Sequence, residues 1–199
     1  MLRPVLAAAL LAFCHTSAFG ASPLCATPEQ AATVQALYAT APVPPTFMAA
    51  TKLGIPEALV ASAISGKQVV GTTGAGFDEV WKSLQEWDDA TAVVLKGGFV
   101  LEIRGRIPGG APSAKSKFFN LKQDGAGLGG HLRPDLVGAI YAVDLVGAEA
   151  PLRGVTFLDA AGEGIFGVYL PEGAGPKPAL VAQFERTRAV IAALPRVCG

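Results

Sequence analysis

Apolar positions change period twice along the chain, and the changes divide it. In TPEQAATVQALYAT, Thr27 stands as an N-cap, Pro28 at the first helical position, and Glu29 and Gln30 in the first turn, which predicts a helix. APVPP (residues 41–45) breaks it. TFMAATKLGIPEALVASAISG then reads as helix, glycine-containing turn, helix, with Met48, Leu53, Ile55, Leu59, Val60 and Ile64 as its expected buried residues. A DNA reader of that shape needs basic side chains on its second helix, and PEALVASAISG has none, so the segment reads as a packing module. GTTGAG (residues 71–76) reads as a linker. In FDEVWKSLQEW, Phe77, Val80, Trp81, Leu84 and Trp87 recur at helical spacing, and Asp78 and Glu79 favour the positive end of the helix dipole.

From Ala90 to about Leu170 the period shortens to that of strands. TAVVLK, GFVLEIRGRI, KSKFFNLK, GHLR, LVGAIYAVDL, GVTFLDAAG and GIFGVYL are short runs separated by turn signals such as KGG and QDGAGLGG. In FVLEIRGRI, Val100, Glu102, Arg104 and Arg106 fall on one face and Leu101, Ile103 and Gly105 on the other. Strands joined by short turns imply antiparallel pairing. KPALVAQFERTRAVIAALP is an amphipathic helix with Leu180, Phe184, Ile191 and Leu194 on its stripe, ended by Pro195. The predicted class is α+β: a small N-terminal helical region over residues 21–70, then an antiparallel meandering sheet and a C-terminal amphipathic helix over residues 77–199.

The first 20 residues carry a different signal. Arg3 precedes an apolar run over residues 5–13, and Ala18 and Gly20 are small at the two positions a signal peptidase reads. The expectation is a cleaved signal peptide (residues 1–20) and a periplasmic or secreted product; a lipoprotein signal at Cys14 is disfavoured by the bulk of Phe13 before it. No later run is apolar enough to span a bilayer. Removing the leader leaves Cys25 and Cys198, which either pair in an oxidising compartment or stay as two free thiols. Sixteen basic and sixteen acidic residues give a net charge of zero, which removes the electrostatic argument for nucleic acid.

No catalytic constellation stands out: the chain has no GxSxG elbow, P-loop, HExxH or paired CxxC. Asp88 and Asp89 read as a turn after their helix. One histidine, His131, remains after the leader. Its chemistry leaves three roles open: an exposed strand residue, a hydrogen-bonded structural residue, or an axial ligand to haem iron. Arg133 lies two residues on, hence on the same face.

FDEVWKSLQEW, VLEIRGRIP, FFNL and GLGGHLR, in that order and spacing, resemble the ChuX/HutX (HuvX-like) family of haem utilisation carrier proteins. The resemblance covers the chain from about Phe47 to the C-terminal helix. It implies a HemS/ChuX-like α+β subunit that forms a homodimer through its sheets, binds haem or a related tetrapyrrole in a cleft, and hands it to a partner. The family's GHI-type histidine falls on His131, the candidate haem-iron ligand. A second family histidine falls at about Leu95, and a ligating tyrosine of a YFNL motif falls on Phe118. Three outcomes stay open: five-coordinate haem on His131 with Leu95 and Phe118 as apolar wall, recruitment of another ligand such as Tyr141, or a fold kept for another task. Phe99 and Phe119 are further candidates for the wall, and Arg104, Arg106, Lys117 and Arg133 for haem propionates. The leading reading is an exported haem-binding carrier. The alternatives are a non-catalytic interaction domain without cofactor and a tetrapyrrole-modifying enzyme, for which no dinucleotide or flavin motif is present.

Overall fold

A computed structural model describes residues 24–66, 68–96, 98–122, 128–171 and 177–198, so the leader and the tip of QDGAGLGG lie outside the described residues. Helices α1 (Pro28–Leu37), α2 (Thr46–Leu53) and α3 (Glu57–Ala63) come first. Strand β1 (Val69–Thr73) leads into α4 (Phe77–Leu84), and β2 (Ala90–Lys96) and β3 (Phe99–Gly105) form a hairpin. Three short strands follow, β4 (Gly110–Pro112), β5 (Phe119–Leu121) and β6 (His131–Leu132). The chain ends with β7 (Val137–Val146), β8 (Pro151–Asp159), β9 (Gly164–Tyr169) and α5 (Pro178–Ala193). A six-stranded sheet has the order β1-β7-β8-β9-β2-β3, and a small sheet has the order β4-β5-β6. Every named strand pair is antiparallel, so the α+β class with a closing helix is the observed one.

The local signals act as their chemistry dictates. Thr27 Oγ1 accepts from the Gln30 amide at 3.3 Å, and Gln30 Oε1 accepts from the Thr27 amide at 2.9 Å, a reciprocal cap on α1. Gly54 ends α2 in the left-handed region, with φ of 65°. Met48 corrects one expectation: it is 53% exposed, because α2 buries Thr46, Ala49 and Ala50 instead. Small residues at that spacing let α2 lie close to α3.

Residues 71–76 also depart from expectation. Val69–Thr73 is a full edge strand, registered from Val69↔Val143 to Thr73↔Ala139, and Gly74–Gly76 is a single 3-10 turn. Small residues looked flexible in isolation, but pairing with β7 fixes their backbone.

Alternation gives the large sheet two buried faces. Ile140, Ala142, Val155, Phe157 and Val168 pack under α4 and α5, with the small sheet laid on the same side. Phe77, Val80, Trp81 and Leu84 of α4 and Phe184 and Ile191 of α5 fill this core. Trp81 Nε1 donates to the Pro108 carbonyl at 3.2 Å, and Trp87 Nε1 donates to Thr187 Oγ1 at 2.9 Å, so both indoles bury their area without orphaning a donor. The opposite face, with Ala139, Tyr141, Val143 and Leu145, meets Ala58 and Ala61 of α3. A disulfide joins Cys25 to Cys198, which settles the sequence alternative in favour of pairing.

Glu57, at the start of α3, is buried against the sheet and accepts from Thr46 Oγ1 at 2.6 Å. Burial pushes its carboxyl above the ordinary range, opposed by the Thr46 hydrogen bond. The native state therefore holds this proton more tightly than the unfolded chain does. The stability linked to it is complete below the ordinary carboxyl pKa and is lost as pH rises through the raised one. Glu57→Gln is accordingly expected to raise the melting temperature at pH 7, with the gain shrinking towards pH 4 in thermal unfolding followed by circular dichroism.

Candidate functional site

The small sheet is held by its inward residues. Phe119 meets Phe77 edge-on at 5.5 Å and Trp81 at 6.1 Å between ring centroids. Leu121 is buried beside it, and Leu132 packs partly buried against the same core. Burying a side chain of this size contributes about 1.5–3 kcal/mol. With alternate residues anchored, the intervening ones must face outward. They are Phe118, Asn120 and His131.

Asn120 and His131 are direct cross-strand partners. His131 Nδ1 lies 2.7 Å from Asn120 Oδ1. An amide oxygen only accepts, so Nδ1 carries the proton and donates, and in the neutral ring the lone pair is on Nε2. That is the arrangement by which a neighbouring acceptor fixes a metal-binding imidazole's tautomer and orientation. Phe118, 41% exposed, sets its ring 5.8 Å from the imidazole and tilted by 59°. The Arg133 guanidinium stands 5.6 Å from the Phe118 centroid.

Charge at this surface is organised by Asp135. Arg133 donates to both its carboxylate oxygens, at 2.7 Å each, and Lys117 Nζ lies 3.5 Å away. The Arg133 hydrogen bonds lead in holding the Asp135 carboxyl down at about 2, with Lys117 adding to the pull. Two cations and one anion thus sit beside the imidazole, with a surplus of one positive charge at neutral pH.

His131, Phe118, Arg133 and Lys117 therefore come together. Leu95 and Arg104 belong elsewhere: they lie on the β2–β3 hairpin of the large sheet, where Arg104 pairs with Asp89 at 2.6 Å. By alternation from the buried Ala92, both are on the sheet face opposite the one that carries the small sheet. No hydrogen bond, ion pair or ring contact among the described residues joins either to His131. Phe99 is on that hairpin too, at its exposed tip. Phe119 is a correction: it is core, not wall. Tyr141 is buried beneath α3, on the sheet face turned away from the small sheet. Asn120 and Asp135 were not singled out from the sequence. Asn120 sits in the FFNL motif two residues after Phe118, but its role depends on the β5–β6 register.

The family model described as Haem utilisation ChuX/HutX matches residues 70–187, from β1 into α5. Among solved structures, a protein from Erwinia carotovora is similar at 26% identity and a TM-score of 0.71, over 81% of this chain and 98% of that one. The heme binding protein ChuX aligns at 18% identity and a TM-score of 0.68, over 80% of this chain and 97% of that one. Holo-PhuS, a heme-binding protein from Pseudomonas aeruginosa, aligns at 21% identity and a TM-score of 0.65, over 90% of this chain and 49% of that one. No curated protein sequence matches this one.

Proposed function

The chain belongs to the ChuX/HutX haem utilisation family, and on that premise we propose that it is an exported haem-binding carrier whose axial ligand is His131. The observation that carries the ligand assignment is the Asn120–His131 hydrogen bond, which engages Nδ1 and leaves the Nε2 lone pair of the neutral, exposed ring for a metal. Haem supplies iron with open axial positions, a flat apolar body and two anionic propionates. This chain offers a matching set: an imidazole for the iron, the Phe118 ring for the macrocycle, and Arg133 and Lys117 for the propionates. ChuX and PhuS, which share the fold, are described as haem-binding proteins. Mixing the protein with haemin is expected to give a Soret band that saturates at one haem per chain. No spectral change would overturn this reading in favour of an interaction domain. Asn120→Ala leaves the ligand but frees its tautomer, and should weaken haemin about 10- to 100-fold in the same titration.

Export is supported by the leader-like N-terminus and by a disulfide, which persists in oxidising compartments. Among the described residues no helix is long and apolar enough to cross a membrane. A homodimer is supported by edge strand β3, where Phe99 is 80% exposed and Val100 and Leu101 follow it, also exposed. An unpaired apolar edge invites a second strand or sheet. Phe99→Glu is expected to convert a dimer into a monomer by light scattering on a sizing column; an unchanged mass would place the interface elsewhere.

A further inference from the structure

Asp135 stands in the single 3-10 turn Pro134–Leu136 that follows β6, just beyond His131. It is exposed, and among the described residues its side chain bonds to Arg133 and Lys117 and to nothing else. It caps no helix and ties down no loop. Ion pairs this open to water contribute little to folding, so stability gives no account of the arrangement. Its consequence falls on the two cations.

Arg133 donates from Nε to one carboxylate oxygen and from Nη2 to the other, at 2.7 Å each. That is the fork with which a guanidinium takes any carboxylate, a haem propionate included. Of the Arg133 nitrogens, only Nη1 has no part in the pair. The same guanidinium stands over the Phe118 ring, 5.6 Å from its centroid, so its place beside the apolar wall and the occupation of its fork go together. Lys117 Nζ lies 3.5 Å from the same carboxylate. Both cations available to propionates are therefore already in contact with an anion of this chain. A propionate that reaches either must share it with a carboxylate of its own chemistry, or displace that carboxylate. The Arg133 hydrogen bonds hold the Asp135 carboxyl well below the usual range, so it is anionic at neutral pH and the competition is constant.

We propose that Asp135 is an internal competitor for the haem propionates: by occupying the Arg133 fork and the Lys117 ammonium it lowers the affinity for haem and hastens its release. This inference rests on the haem reading above and deepens it, since a carrier has to give up its ligand. The variant that tests it is Asp135→Asn, whose amide oxygen still accepts from Arg133 while the charge is gone. Haemin and haemin dimethyl ester, whose esterified propionates carry no charge, would be titrated into wild type and variant, and haemin release timed by capture with excess apomyoglobin. Haemin should bind Asp135→Asn about three- to tenfold more tightly, the effect of removing one like charge a few ångströms away near a surface, and leave it more slowly by a similar factor. The ester should change by less than about twofold, because it carries no charge for Asp135 to repel. At about 0.5 M salt the haemin gain should shrink, as these charges are exposed. Unchanged or weaker haemin binding by Asp135→Asn would overturn the competitor role and leave His131 as ligand; weaker binding is what a residue that merely holds Arg133 in place would give. An equal gain for the ester would overturn it too. A wild type that gives no Soret band would remove the haem reading, and this inference with it.

Discussion

His131→Ala is expected to lower haemin affinity by more than about a hundredfold and to strip the complex of its histidine-ligated Soret band. Losing only the partner that orients a metal-bound histidine costs about 10- to 100-fold, so losing the ligand itself must exceed that. The substitution is well suited to a clean reading because His131 is exposed and makes its side-chain hydrogen bond to Asn120, itself outward-facing. The inward residues of the small sheet, Phe119, Leu121 and Leu132, are untouched, so the fold should persist. Weak residual binding through Phe118 and the Arg133–Lys117 cations is expected, since neither depends on the imidazole. Free imidazole added to His131→Ala should restore the band, a recovery that a merely structural role would not show. Equal haemin binding by wild type and His131→Ala would remove His131 from the site.

Breaking the Cys25–Cys198 bridge should have the largest effect on stability. The two cysteines are 173 positions apart, and closing a loop of that length removes enough unfolded-state entropy to contribute up to about 5 kcal/mol in the chain-entropy model. The native contacts add a local reason. Cys25 lies just ahead of the α1 cap at Thr27, and Leu24 and Val197 pack against the core under the N-terminal helices. The bridge therefore holds the helical region, the tail and the sheet in one unit. At about 2–4 °C per kcal/mol for a chain of this size, Cys25→Ser with Cys198→Ser should lower the melting temperature by roughly 10–20 °C. Calorimetry of the variant, alongside reduced wild type, measures this. An unchanged melting temperature would mean that packing alone fixes the termini.

Element by element, the fold was legible wherever side chains repeat with one period. The α4 residues Phe77, Val80, Trp81 and Leu84 and the α5 residues Leu180, Phe184 and Ile191 are buried as their spacing requires. Legibility failed where small residues carry the structure. GTTGAG is a paired strand and a turn, and α2 buries alanines rather than Met48, because close approach favours small side chains that a hydrophobicity pattern does not register. The candidate site was half legible. His131, Phe118 and Arg133 were visible as residues of fitting chemistry, His131 on β6 and the other two just outside the short strands. Asn120 and Asp135 were not, since a hydrogen bond across two strands depends on a register that no local pattern specifies.

By itself, then, the sequence determined the periods, the caps, the family and the single imidazole after the leader, all of which follow from residue type and near-neighbour spacing. The tertiary structure decided which candidates share a surface. It set Leu95 and Arg104 on one face of the large sheet and the Phe118–Asn120–His131 row beyond the other. It also buried Tyr141 beneath α3, on the sheet face turned away from that row. Face and register arise from pairing between distant strands, and two residues' mutual placement there depends on every strand between them.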